Sequence, residues 1–247
     1  MLRLFSFQGS TFRFRLTWFV IRISQNEMPN FVSGVIRFQQ EVFPSRREFF
    51  ERLSEDQRPE CLFITCSDAR IETAMITQTE PGELFICRNA GNIVPPHTHH
   101  TGGMTASIEF AVGVLKVPHI VICGHTECGA MEGALNPASL DGLDHVREWL
   151  GYSKAAVSIV NAIGADLDER TRKRMLVEQN VILQLQHLRT HPAVATGMAQ
   201  RKLTLHGWVY DIRTGEVRAY DFSNDVFVPV SEHYAAAIAQ ALTHKHE

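Results

Sequence analysis

Net charge is scarce in this 247-residue chain, whose formal charge at neutral pH is only −3. Gripping a polyanion or an anionic membrane takes concentrated positive charge. Neither nucleic acid nor a membrane surface is therefore expected as the main partner, and the expected ligand is small. Long apolar runs are missing as well, so no transmembrane segment is expected. There is no internal repeat and no low-complexity tract. Cysteine is scarce and odd in number, with Cys61, Cys66, Cys87, Cys123 and Cys128, which argues against a disulfide framework. Cys61, Cys87 and Cys123 lie in apolar, strand-like runs and read as small buried hydrophobes. Acidic residues are absent before Glu27, where Arg3, Arg13, Arg15 and Arg22 sit among Phe5, Phe7, Phe12, Phe14, Trp18 and Phe19.

With 45% hydrophobic and 21% charged residues, the chain is long enough for one sizeable core and short for two. Cys66-Ser67-Asp68-Ala69-Arg70 is followed by His125-Thr126-Glu127-Cys128, which supplies two thiolates and one imidazole to a borderline-soft divalent ion. Structural zinc sites close their shell with four protein ligands, whereas catalytic ones hold three and keep a position open. Cys66, His125 and Cys128 are thus expected to hold one Zn2+ per chain for chemistry. Cys66 ends the apolar run from Leu62 and His125 ends the run from Ile120, both reading as buried strands. The carboxyl edge of an open α/β sheet is where ligands bind.

Strands are predicted at 62–66, 84–88 and 119–124, with a helix over 103–116 whose apolar stripe is Met104, Ile108, Ala111, Val112 and Leu115. Further helices are predicted over 144–160 and 169–188, and a hairpin over 203–220. The alternation gives a single α/β domain with a mainly parallel central sheet flanked by helices. Residues 29–53 read as one or two amphipathic helices interrupted near Pro44.

CSDAR, GELFICRNAGNIVPP at residues 82–96 and GHTECGAMEG at residues 124–133 resemble the β-class carbonic anhydrases, plant and bacterial type. The resemblance runs from about Pro29 to the C-terminus, and HGWVYDIRTGEV looks like the family's last sheet strand and turn. It implies the β-carbonic anhydrase fold and zinc-dependent reversible hydration of carbon dioxide to bicarbonate. It also implies a homodimer or higher even oligomer, with residues 28–56 as a helical arm that wraps the partner, and residues 28–247 as the enzyme domain. Carbonyl sulfide or carbon disulfide hydrolysis on the same scaffold, and a zinc scaffold or bicarbonate-binding protein without turnover, stand as alternatives. A cytoplasmic location is expected. The extension 1–27 reads as an organelle presequence, as an interaction arm, or, preferred because the family-like portion begins almost at Met28, as sequence upstream of a misplaced start.

Asp68, in the first turn after Cys66, can accept a hydrogen bond from the attacking oxygen or bind the metal itself. Arg70 offers a bidentate fork that would hold it ionised and away from the metal. Two sulfur donors should acidify water less than a three-histidine site does, so the active form is expected to grow in at higher pH. By resemblance, Phe85 and Ala90 line the pocket and Gln57 donates a hydrogen bond to substrate across a subunit interface. The N–H of Gly129 could serve similarly. Phe63 stands where the bicarbonate-inhibited subtype has tryptophan, so no such inhibitory site is expected, and Phe110 replaces a tyrosine of plant-type relatives. His97, His99 and His100 suggest a proton shuttle or second metal cluster, with a solvated loop as the preferred reading. His145 and His206 read as structural, and Glu127 as pointing outward.

Overall fold

The computed structural model describes residues 29–99 and 101–243. The extension 1–27 and His100 lie outside the described residues. The chain divides into two units at Ser54.

The first unit is helical. Asn30–Arg37 continues through a π-type turn, Phe38–Val42, into Phe43–Ser45, and after Arg46 the helix Arg47–Glu55 begins. The break expected near Pro44 falls at Arg46, because Pro44 sits in the first turn of its short segment, where no backbone donor is needed. The Phe43 and Phe50 rings stack at 5.1 Å, while Phe31, Val35 and Phe38 stay exposed.

The second unit is built on a six-stranded sheet in the order β2-β1-β3-β4-β5-β6. β1 (Cys61–Cys66), β2 (Leu84–Asn89), β3 (His119–His125) and β4 (Thr204–Tyr210) run parallel. β5 (Val217–Asp221) and β6 (Val226–Pro229) add antiparallel edges. The hairpin predicted over 203–220 is β4 and β5, and β6 follows it at the end of the sheet. β6 escaped prediction because VFVP is four residues long and ends in proline.

β1 and β3 are buried on both faces, as their continuous apolar runs require. Leu62, Ile64, Ile120 and Ile122 pack in the main core with Val177, Val181, Leu185 and Leu188 of the long helix Glu169–Arg189. Cys61, Phe63, Val121 and Cys123 form a smaller cluster, with Trp208 packed against it. Burial pushes the Cys61 and Cys123 thiols up to about 12, so both are inert hydrophobes at neutral pH. The helix predicted over 103–116 is Gly103–Glu109 followed by a π-type turn, Phe110–Val114. The helix predicted over 144–160 is two, Asp144–Leu150 and Lys154–Ile163, parted by a tight turn starting at Gly151, whose backbone entropy disfavours helix interiors.

Gly124, the residue before His125, sets how closely the long helix approaches the sheet. A Cβ there would stand 2.9 Å from Val181 Cγ2 and 3.1 Å from Val177 Cγ1, and β-branched side chains have little rotamer freedom to retreat. Gly124→Ala should cost about 1–3 kcal/mol by overpacking, read as a lower urea midpoint at unchanged slope. An unchanged midpoint would show that the helix can shift.

At the amino ends of β3 and β4, His206 bonds Tyr234 Oη at 2.8 Å and His119 at 3.1 Å. Burial, with the nearby His119 and His233, pushes His206 from 6.5 down to about 4. The unfolded chain takes up this proton near pH 6.5 and the folded chain only near pH 4, so stability is full above the upper value and declines toward the lower. Urea midpoints should fall across that window, and His206→Gln should flatten part of the fall; equal slopes in both proteins would assign the loss to other groups.

Candidate metal centre

Parallel pairing brings the carboxyl ends of β1 and β3 side by side, and each ends on a predicted ligand, Cys66 and His125. The chain then turns through Thr126 and Glu127 to Cys128. Glu127 takes a left-handed conformation, φ 56°, which is costly for a residue with a Cβ and marks a turn held by its surroundings. Two contacts hold it: Thr126 N–H donates to the Tyr210 carbonyl at 2.9 Å, and Ile212 N–H donates to Thr126 Oγ1 at 3.1 Å. The β4–β5 hairpin thus fixes the turn that returns Cys128 to His125.

The donor atoms of Cys66, His125 and Cys128 all lie within 4.8 Å of one another, and all three residues are buried. Among the described residues no other group of three His, Cys, Asp or Glu side chains is close enough to hold an ion. His125 Nδ1 meets the Thr126 carbonyl at 2.9 Å, which places the proton on Nδ1 and leaves the lone pair on Nε2. Nε2 is buried and has no hydrogen-bond partner. A buried acceptor left unpaired carries a desolvation cost that a cation would remove. The sulfurs of Cys66 and Cys128 are 3.9 Å apart, too far for a disulfide. Two thiolates on one tetrahedral zinc ion stand roughly 3.8 Å apart, given bonds of about 2.3 Å. The residues therefore fit a zinc ion.

The thiols are tuned in opposite directions. The Cys128 contact, ahead of contacts from His125 and the Gly91 N–H, draws the Cys66 thiol down, and the same proximity pushes Cys128 up. Without a cation the pair behaves as one thiolate sharing one proton.

Asp68 stands beside the cluster, with Oδ2 3.9 Å from His125 Nε2. Arg70 grips it with Nε on Oδ1 at 2.9 Å and Nη2 on Oδ2 at 2.7 Å, and Nη2 also donates to the Glu127 carbonyl at 2.9 Å. The guanidinium fork, helped by the Arg70 backbone N–H, holds the Asp68 carboxyl well below the usual carboxylate range. The bidentate pair expected from CSDAR is therefore formed.

The remaining predicted residues are placed less closely. Phe85 is half-buried, with its ring centroid 6.0 Å from that of Phe110. Ala90 is exposed and its carbonyl accepts from Trp149 Nε1 at 2.9 Å. Gly129 opens the helix Gly129–Leu135. Gln57 is exposed, and its side chain makes no hydrogen bond among the described residues. His97 lies against His191, ring centroids 5.6 Å apart, and His145 is exposed. Glu127 is exposed as expected.

Several supporting residues escaped the sequence reading. Arg88 donates to the carbonyls of Cys66, Asp68 and Ile71 at 3.1, 2.8 and 2.6 Å, pinning the CSDAR turn. Gly91, at φ +80°, donates its N–H to Cys66 Sγ at 3.4 Å, and a Cβ there would strike Met131 Cε at 2.8 Å. Asn180 and Gln184 of the long helix clasp the same turn, through the Gly91 carbonyl at 3.0 Å and the Val94 N–H at 2.8 Å. The only signal in sequence was two amides spaced four apart within an apolar helix.

The carbonic anhydrase family profile matches residues 61–217. A carbonic anhydrase of Pseudomonas aeruginosa is 47% identical over 206 residues, 83% of this chain and 93% of that protein. Carbonic anhydrase 1 of Escherichia coli O157:H7 is 43% identical over 204 residues, 83% of this chain and 93% of its own length. Among solved structures, the β-carbonic anhydrase CcaA superposes with a TM-score of 0.78 at 40% identity, covering 81% of this chain and 97% of that one. A tetrameric β-carbonic anhydrase of the ascomycete Sordaria macrospora gives 0.67 at 33% identity, covering 76% and 93%. Motif, sheet, buried donor cluster and these likenesses agree, and the chain belongs to the carbonic anhydrase family, in its β class.

Proposed function

We propose that Cys66, His125 and Cys128 hold one zinc ion per chain, and that Asp68 and Arg70 orient the attacking oxygen in the reaction of a carbonic anhydrase. That reaction is the reversible hydration of carbon dioxide to bicarbonate and a proton. The observation that carries the assignment is the buried, unpartnered Nε2 of His125 beside two sulfurs, with Asp68 held by Arg70 next to it.

When bound, zinc supplies the Lewis acidity that makes water a nucleophile near neutral pH. The residues do the rest. Ionised Asp68 can only accept, so it selects an attacking oxygen that points its hydrogen at the carboxylate and its lone pair at carbon. Arg70 occupies both Asp68 oxygens, which keeps the carboxylate ionised and holds its Oδ2 3.9 Å from His125 Nε2. Phe85 and Phe110 offer the apolar wall that carbon dioxide needs, and the Gly129 N–H and Gln57 amide are donors for the oxygen that gains charge.

Among the described residues the Gln57 side chain finds no partner, and Phe31, Val35 and Phe38 of the helical unit are exposed. Both support a homodimer or a higher even oligomer, with residues 28–56 as the arm that covers the partner. The thiols at Cys61, Cys66, Cys87, Cys123 and Cys128 are all free, which suits a reducing compartment and supports action in the cytoplasm. No helix among the described residues is long and apolar enough to cross a membrane.

Cys128→Ser should lose most of its zinc on purification, read by metal analysis independently of turnover; full zinc content in that variant would remove Cys128 from the ligand set. Asp68→Asn should keep its zinc while stopped-flow hydration falls by roughly two orders of magnitude or more across about pH 6 to 9. A wild-type rate in Asp68→Asn would take the carboxylate out of the mechanism.

A further inference from the structure

Beyond the dyad, Arg70 also lines a cavity of about 250 Å³ shared with Thr126, Glu127, Arg170, Arg174, Asp211 and Arg213. Four guanidiniums face two carboxylates there, a surplus of two positive charges. They come from three separate pieces of chain: the CSDAR turn, the start of the long helix, and the β4–β5 hairpin.

The fold gains little from this arrangement. Arg170 and Arg174 are four apart on one helix, where like charges repel. Both lie in its first turns, where the helix dipole disfavours cations. Their neighbours are matched: Arg172 donates to Asn161 Oδ1 at 2.8 Å, and Lys173 pairs with Glu132 and Glu169 at 3.1 and 3.0 Å. Among the described residues the side chains of Arg170, Arg174 and Arg213 make no hydrogen bond or ion pair within 4 Å. Asp211, which shares the cavity with Arg174, is engaged by the backbone N–H groups of Arg213 and Thr214 at 2.9 and 3.1 Å. Arg70 spends Nε and Nη2 on Asp68 and Glu127, so the two N–H bonds of Nη1 remain unspent.

We propose that this cavity is a binding site for a divalent oxyanion of the phosphate class, seated by Arg70 Nη1, Arg170, Arg174 and Arg213. The guanidinium fork matches two oxygens of a phosphate, and donors arriving from several directions suit a tetrahedral anion better than a planar carboxylate. The volume is below that of sites for drug-sized ligands, as a small anion requires. A wider cleft shares Glu127, Arg170 and Arg213 with it and leaves room for the substituent of a phosphate monoester. Arg70 can take the anion through Nη1 without releasing Asp68.

Titration calorimetry of the zinc-loaded protein with inorganic phosphate, and separately with glycerol 3-phosphate, tests the site. Saturable binding near one anion per chain is expected, and about tenfold or greater loss of affinity in Arg174→Ala and in Arg213→Ala. Tighter binding of the ester than of phosphate would identify the ligand as a phosphate monoester; the reverse would identify free phosphate. Zinc content and carbon dioxide hydration should be unchanged in both variants, so failure here is separable from failure of the zinc assignment. No saturable binding of either anion, or equal affinity in wild type and both variants, would overturn the proposal.

Discussion

Two sulfurs 3.9 Å apart and an unpaired imidazole nitrogen, all buried at one sheet edge, form an arrangement that only a cation completes. As thiolates the sulfurs would repel each other strongly out of water. The chain has prepared for that charge. Gly91 N–H points at Cys66, and the N–H groups of Ala130 and Met131, in the first turn of the helix after Cys128, help hold its sulfur as an anion. These donors are backbone groups set by turns, so they are in place before any ion arrives.

Placing them is the work of the rest of the fold. β1 and β3 are adjacent and parallel, so their ends deliver Cys66 and His125 to one edge without any long loop. The long helix packs its apolar face against β3 and β4 and turns its amides toward the RNAGN turn. Ser153 and Gln184 both bond Asn180 Oδ1, at 2.8 and 2.9 Å, so the buried ladder is satisfied from helix to helix. A buried polar network of this kind fixes one arrangement because any slip would leave an amide without a partner.

Legibility in the sequence followed the range of the interactions. The Cys66–His125–Cys128 cluster and the Asp68–Arg70 pair were readable because donor chemistry restricts residue type and each of the two motifs is short. β1 and β3 were readable because strands buried on both faces must be continuously apolar. Arg88, Asn180 and Gln184 were hidden because the turn groups they hold lie 17 to 90 residues away and are backbone carbonyls and an N–H, which carry no residue signature. The two-helix division around Gly151 was missed because the apolar spacing on either side of the glycine stays in phase. β6 was missed because a short edge strand needs only its neighbour's backbone, and not a pattern of its own.

On the proposed zinc assignment, the donor set also gives a reason for a salt bridge so close to it. Two thiolates and a neutral imidazole cancel the formal charge of a divalent ion, so its acidifying power is weaker than among three imidazoles. A nucleophile generated with less help gains more from an acceptor that fixes its orientation, and that acceptor is useful only while ionised and only while kept off the metal. In the mechanism proposed above, Arg70 meets both conditions with one planar group: its fork stabilises the Asp68 charge and occupies both carboxylate oxygens. Lysine, a point charge on a flexible stem, would meet the first condition and not the second. Arginine's third nitrogen then remains turned away from Asp68, which is how one side chain comes to serve the centre and border a second, strongly cationic cavity.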